Sequence, residues 1–322
     1  MMEKIALIYM GGTFGCVGEP LAPMSEHDFL PLLAQHIVAD ITVQCFAAAQ
    51  IKDSSACTAA DWLVLIQQIQ QLQLHGFQHF VIIHGTDTLS YAAATLARFL
   101  GHSCHVVLTG SQYPLLNVTG SHTREFSDAL GNLHFALQQI EQQPAGVYLA
   151  FQQQIFHAQS SLKIHTSALD AFAGIAADQP FASATQAIQV QQQHIAQAEH
   201  FNLLSLMLQP IVPAQLLTQL ENMLPNPPQF LVLQAFGSGN IAINNDILAL
   251  FDSLYLQRCI CIISSQVPFG TLAQHYAVST WMQTAKVLMN DGHSHADLYA
   301  KALQMYLKYP THPQRFEQWA QH

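Results

Sequence analysis

Residues 80–94 read FVIIHGTDTLSYAAA, from Phe80 to Ala94. Four apolar residues run straight into His84-Gly85-Thr86-Asp87-Thr88, and an apolar, alanine-rich segment follows at once. The apolar run is of strand length, and the alanine-rich segment has the composition of a helix. Two hydroxyls and a carboxylate therefore stand where a strand ends and a helix begins. Asp and Thr at that point are good helix N-caps. The same residues are also equipped for chemistry, so their neighbours decide which reading applies.

Outward from this stretch the same unit recurs. KIALIY, ITVQCF, HVVLTG and GVYLAF read as further strands. Between them lie helical segments, two opened by capping boxes at Ser25 with Asp28 and Thr58 with Asp61. Strands without polar alternation, separated by helices, predict a parallel-rich sheet covered on both faces. The polar stretch QAIQVQQQHIAQAEH reads as a linker or edge hairpin. Beyond it LLSLML, FLVLQAF and CICIIS alternate with helices again. The expected fold class is α/β, with a larger N-terminal domain over 1–185, a linker over 186–202 and a smaller C-terminal α/β domain over 203–322. The Gln-rich tracts read as solvated helix faces.

Bulk composition narrows the function. Half of the 322 residues are hydrophobic and only 9% are charged, against about a quarter charged in ordinary domains. With 10 Lys plus Arg and a formal net charge of -10, the chain lacks the basic clusters that nucleic acid demands. No apolar run is long enough to span a bilayer, and MMEKIALIYMGG lacks a cleavage-type site. A cytoplasmic protein is expected. Six cysteines in so long a chain read as reduced thiols, with Cys259 and Cys261 on one face of a buried strand. The 18 histidines do not assemble metal-ligand spacing. His293 and His295 read as surface residues, and His84 as a packed, hydrogen-bonded side chain.

In open parallel sheets ligands bind beyond the carboxyl ends of the strands. Four consecutive strand-end loops carry hydroxyls beside glycines or other small residues. They are MGGTFG with Thr13, KDSSACT with Asp53, Ser54 and Ser55, HGTDT with Thr86 and Asp87, and TGSQYP with Thr109, Ser111 and Gln112. This inventory suits acyl transfer on a small polar substrate. A threonine hydroxyl needs a base, and a desolvated lysine can serve. Lys163, in SSLKIHTSALDAFAG, is the candidate.

With these segments in place, the chain resembles the bacterial-type L-asparaginase/glutaminase family, cytoplasmic branch. GGTFG, DSS, HGTDT, TGSQYP, SDALGNL, the LK…DAFA segment and GSGN carry the resemblance. It implies hydrolysis of L-asparagine to L-aspartate and ammonia through a threonine nucleophile, with no cofactor. It implies catalytic roles for Thr13, Thr86, Asp87 and Lys163, Thr13 being the usual nucleophile. It implies substrate contacts at Gly12, Ser54, Ser55, Asp87 and Ser111. The partner is a small amino-acid amide, and the assembly a homodimer or homotetramer.

The resemblance has gaps. The family tyrosine of the mobile loop falls on Leu21, and no tyrosine lies between Tyr9 and Tyr91. The supporting glutamate falls near Trp281, where no glutamate stands. Met10, Leu162 and Ala129 also depart from the pattern. Tyr113 and Tyr276 are candidate substitutes for the missing phenol. Two other functions fit the same residues: an amino-acid binding or sensor protein with weak turnover, and an amidase for glutamine or another amide.

Overall fold

The computed structural model describes residues 4–37, 42–270, 272, 281–282 and 284–321. Tyr276 lies outside the described residues. The chain divides into two compact units, Met1–Glu199 and His200–His322.

The first unit is built on one sheet. Its strands are β1 (Ile5–Tyr9), β2 (Val43–Ala47), β3 (His79–Ile83), β4 (His105–Thr109), β5 (Gly146–Phe151) and β6 (Gln154–His157). Their spatial order is β2-β1-β3-β4-β5-β6. All neighbours are parallel except β5 and β6. That last pair turns through Gln152 and Gln153 at φ 47° and 58°, the paired left-handed geometry that closes a two-residue hairpin. Helices α1 (Glu26–Ala34), α2 (Ala59–Leu74), α3 (Leu89–Leu100) and α4 (Ala129–Gln139) connect or cover the strands. Every residue of β1 and β3 is buried. On one face Ile5, Leu7 and Tyr9 share a core with Phe29 and Leu33 of α1 and Leu133 and Ala136 of α4.

The Thr58 capping box forms in full, and Ser25 forms the N-cap half of the other. The Ser25 hydroxyl accepts from the Asp28 N–H, and the Thr58 N–H donates to Asp61 at 2.7 Å. The segment 186–202 differs from the linker reading. Ile188 N–H donates to the Phe99 carbonyl at 2.7 Å, and the buried Gln70 carboxamide clamps Ile188 and Val190. A helix, α5 (Gln192–Ala198), follows and buries Ile195 and Ala198. The run is therefore docked on the first unit, whose boundary falls at Glu199. The same clamp changes the meaning of the α2 glutamines, several of which bond to neighbouring backbone instead of only facing water.

The second unit holds β7 (Leu203–Met207), β8 (Phe230–Ala235), β9 (Ile260–Ser265) and β10 (Val287–Met289), all parallel in that order. Helices α6 (Pro213–Glu221), α7 (Asn245–Leu256), α8 (His295–Lys308) and α9 (His312–Glu317) complete it. Cys259 and Cys261 are buried in one core with Leu231 and Leu233, as free thiols. Trp281 stacks on Phe251 at 5.6 Å between ring centroids. Among the described residues no helix is long and apolar enough to cross a membrane.

Candidate active site

The strand order fixes where a ligand can enter. β1 leads through α1 to β2 on one side, and α2 returns the chain to β3 on the other. The loops after β1 and β3 therefore leave in opposite directions, and the crevice opens at this switch point. Met10–Thr13 follows β1 and His84–Thr88 follows β3. Two backbone bonds seat these loops at the sheet end: Met10 N–H to Ile83 O at 2.8 Å and His84 N–H to Thr109 O at 2.9 Å.

The two loops cross through glycine. Gly12 sits at φ 88°, and a Cβ there would run into the Gly85 Cα and amide. A Cβ on Gly85 would in turn lie 2.5 Å from Ser54 Oγ. Three strand-end loops thus meet here, Gly12 and Gly85 backbone against backbone and Ser54 against Gly85 through its side chain. Thr13 and Thr86, the residues that follow the two glycines, flank the crossing. Thr88, in the helix N-cap position, does not spend its hydroxyl on α3; it donates to Ser54 O at 2.6 Å. Ser54 is buried, whereas Ser55 is exposed and held by Asp53 through both N–H and hydroxyl. The Ser55 hydroxyl, then its N–H, hold the Asp53 carboxyl below its ordinary range.

Lys163 closes the group from a distance of 77 residues. It stands on a short antiparallel ladder, Leu162–Lys163 against Phe172–Ala173. Its Nζ lies 2.9 Å from Thr86 Oγ1 and 2.8 Å from Asp87 Oδ1. Thr86 is 7% exposed; the Asp87 side chain is 61% exposed. The buried member therefore carries the hydroxyl and the exposed member carries a free carboxylate edge. The structure joins Thr86, Asp87 and Lys163, and it joins Gly12 and Ser54 to them through Gly85. Thr13 occupies the adjoining one-turn helix, Thr13–Gly15, and Lys163 spends its bonds on Thr86 and Asp87. Ser111 is buried just beyond β4, and among the described residues its hydroxyl has no partner.

Two supporting residues escaped the sequence reading. Asp128 accepts the N–H groups of Gln112 and Tyr113 at 2.9 and 3.0 Å. Asn132 donates to Gly110 O and to Asp128, and accepts from Gln152 N–H. Together they tie the ends of β4 and β5 to α4. The signal available was one polar residue, Asn132, on the buried side of an apolar helix. Gln112 extends the brace, donating to Ala168 O at 2.9 Å on the loop beyond Lys163.

His84 is fully packed. Its Nε2 accepts from Trp62 Nε1 at 3.2 Å, and its Nδ1 lies 2.8 Å from Gly85 O. Burial pushes its pKa down to about 4. The folded protein then refuses a proton that the unfolded chain takes up near pH 6.5. Stability is fully present above that pH and is lost as pH falls toward 4. The thermal midpoint should rise with pH across this window, and His84→Gln should flatten the rise. An unchanged slope in the variant would contradict the assignment.

His293 and His295 depart from the surface reading. Both line a cavity of about 330 Å³ in the second unit, beside Ser264, Asn290 and Asp291. Among the described residues no cluster of three or more His, Cys, Asp or Glu could hold a metal.

Comparison with known proteins adds to this geometry. Residues 4–196 match the family model described as Asparaginase, N-terminal. L-asparaginase 1 of Escherichia coli (strain K12) is 30% identical over 180 residues, 53% of this chain and 50% of that protein. The chain thus spans about half the length of that relative. The 60 kDa lysophospholipase of Mus musculus is 29% identical over 248 residues, 73% of this chain and 42% of that protein. The thermostable L-asparaginase from Thermococcus kodakarensis superposes with a TM-score of 0.77 at 20% identity, covering 98% of this chain and 96% of that one. L-asparaginase I from Vibrio cholerae O1 biovar eltor gives 0.76 at 21%, covering 100% and 98%. At these identities the superpositions speak for the fold.

Proposed function

Because this chain belongs to the asparaginase family, we propose that it is an amidohydrolase converting L-asparagine and water to L-aspartate and ammonia through a threonyl ester. The observation that carries the reading is the 2.9 Å approach of Lys163 Nζ to the buried Thr86 hydroxyl. No cofactor enters.

Lys163 takes the Thr86 proton as Oγ1 attacks the amide carbon. The carbon–nitrogen bond breaks, and the same proton leaves with ammonia. Water then adds to the ester, giving its proton to Lys163, and aspartate departs with the Thr86 hydroxyl restored. Backbone N–H groups beside Thr13 and Thr86 stabilise the oxyanion, the largest single contribution in such sites. Thr13 serves as the second catalytic hydroxyl across the glycine crossing. Asp87 offers its exposed carboxylate edge to the substrate ammonium, and Ser54, Ser55, Gly12 and Ser111 complete the contacts. A cytoplasmic location and a homo-oligomeric assembly belong to the same proposal; the six free cysteines favour the location.

Asparagine and glutamine differ by one methylene, worth about 1–3 kcal/mol in a pocket. Ammonia release from the two amides should therefore differ by no more than roughly 10- to 200-fold, with aspartate formed from asparagine in equal amount. A second reading rests on the missing phenol: Leu21 stands where the family tyrosine is expected, and no glutamate stands near Trp281. Calorimetric binding of asparagine without any ammonia release would replace the enzyme with an amino-acid binding protein.

A further inference from the structure

Tyr9 ends β1 immediately before the glycine turn. Its side chain is fully buried, and among the described residues its hydroxyl has no hydrogen-bond partner. The ring belongs to the core: it packs on Phe29 at 4.7 Å between centroids, and Phe29 meets Phe14 of the Thr13–Gly15 turn at 6.4 Å. Phenylalanine at position 9 would make every one of these contacts. An unpaired buried hydroxyl is a standing cost to stability and calls for an explanation.

Its surroundings supply one. The hydroxyl lies against Gly15, and a Cβ on Gly15 would overlap it. Gly15 is the last residue of the turn that begins with Thr13. That turn has one long bond at its start. Gly15 N–H reaches the Gly12 carbonyl only at 3.4 Å, beyond the usual N–H···O distance of about 2.9–3.0 Å, whereas Cys16 N–H closes on Thr13 O and the Phe14 and Gly15 carbonyls accept from Leu115 and Met24 at 3.0 Å. A free O–H donor thus sits against the turn that carries a candidate catalytic threonine, at the residue whose own N–H makes the long bond. Burial, with the nearby Cys16, pushes the phenol above its ordinary pKa, so phenolate does not form and the group acts as a donor. The alternatives are placed elsewhere. Tyr113 packs edge-on against Phe126, with Arg124 over its ring, and Leu21 is 49% exposed.

We infer that Tyr9 is the positioning residue for Thr13: as substrate enters, the turn tightens onto the phenolic O–H, which donates to it and holds the Thr13 hydroxyl at the reacting amide. This rests on the proposed asparaginase activity and adds to it a tyrosine approaching from below the turn instead of from the loop above.

Tyr9→Phe tests it, since only the hydroxyl is removed. The expected result has two opposite signs. Asparagine turnover, read as kcat, falls about five- to tenfold, the worth of one hydrogen bond, while KM stays within about twofold. The thermal midpoint stays the same or rises, because an orphaned polar atom has gone. In a Thr13→Val background the same change costs nothing further. Unchanged kcat in Tyr9→Phe overturns the inference. So does a joint fall of kcat and thermal midpoint, or a variant that no longer folds, since either marks a purely structural hydroxyl. A wild type silent toward asparagine overturns the proposed function and this inference with it. An active wild type beside an equally active Tyr9→Phe overturns this inference alone.

Discussion

Lys163→Met should lower asparagine turnover by about two to four powers of ten, the usual worth of a positioned base, with the fold intact. Methionine keeps the length and apolar stem of lysine and removes only the group that meets Thr86 and Asp87 at 2.9 and 2.8 Å. The structural cost is small because Asp87, 61% exposed, returns to water when its partner leaves. An exposed pair of this kind contributes on the order of 0–1 kcal/mol. The loss should therefore appear in kcat, with the thermal midpoint nearly unchanged. Thr86→Val should fall as far, and combining the two should cost little more than either alone, because base and hydroxyl act as one unit. Ammonia release equal to wild type in Lys163→Met would remove the base from the mechanism.

Gly12→Ala should be at least as damaging, for a different reason. The substitution adds one methyl at φ 88°, directed at the Gly85 backbone. Backbone cannot rotate aside as a side chain can, so the crossing of the β1 and β3 loops must open. Left-handed backbone alone costs an alanine roughly 1–2 kcal/mol. Gly76 provides the control: its φ is 87°, and a Cβ there meets nothing within 4 Å. Gly76→Ala should lose only the conformational share and keep full turnover. Gly12→Ala should lose several kcal/mol, flagged by the steric terms that dominate large destabilisations, and essentially all activity, since Thr13 and Thr86 part company. Chemical denaturation and ammonia release on the two variants decide the matter. Equal losses in both would show that the crossing contributes nothing beyond backbone strain.

These expectations mark a division between local and distant information. The βα units were legible in the sequence because their determinants are local. Unbroken apolar runs give strands buried on both faces, and Ser25, Thr58 and their partners three residues on give helix starts. The polar loops were legible for the same reason, since each follows directly from a strand. The linker reading of 186–202 failed because its decisive partner, Gln70, lies 118 residues from Ile188. Nothing in a polar, glutamine-rich run announces that a carboxamide elsewhere will satisfy its backbone. Asn132 and Asp128 escaped notice likewise, as their bonds run to Gly110, Gln112 and Gln152 on other elements.

By itself, then, the sequence determined the alternation of strands and helices and the hydroxyl-bearing loops at the strand ends, and its resemblance to the family pointed to Lys163 as the candidate base. Only the tertiary structure decided that β1 and β3 are neighbours at the switch point, that Gly12 and Gly85 touch, and that Lys163 reaches Thr86. It also decided that His84 is a neutral, buried partner of Trp62, and that the Tyr9 hydroxyl waits unpaired under the Thr13 turn. The physical reason is common to all of these. Propensity and capping act over a few residues, whereas a close backbone approach, a desolvated histidine or an orphaned hydroxyl exists only once distant segments exclude water together.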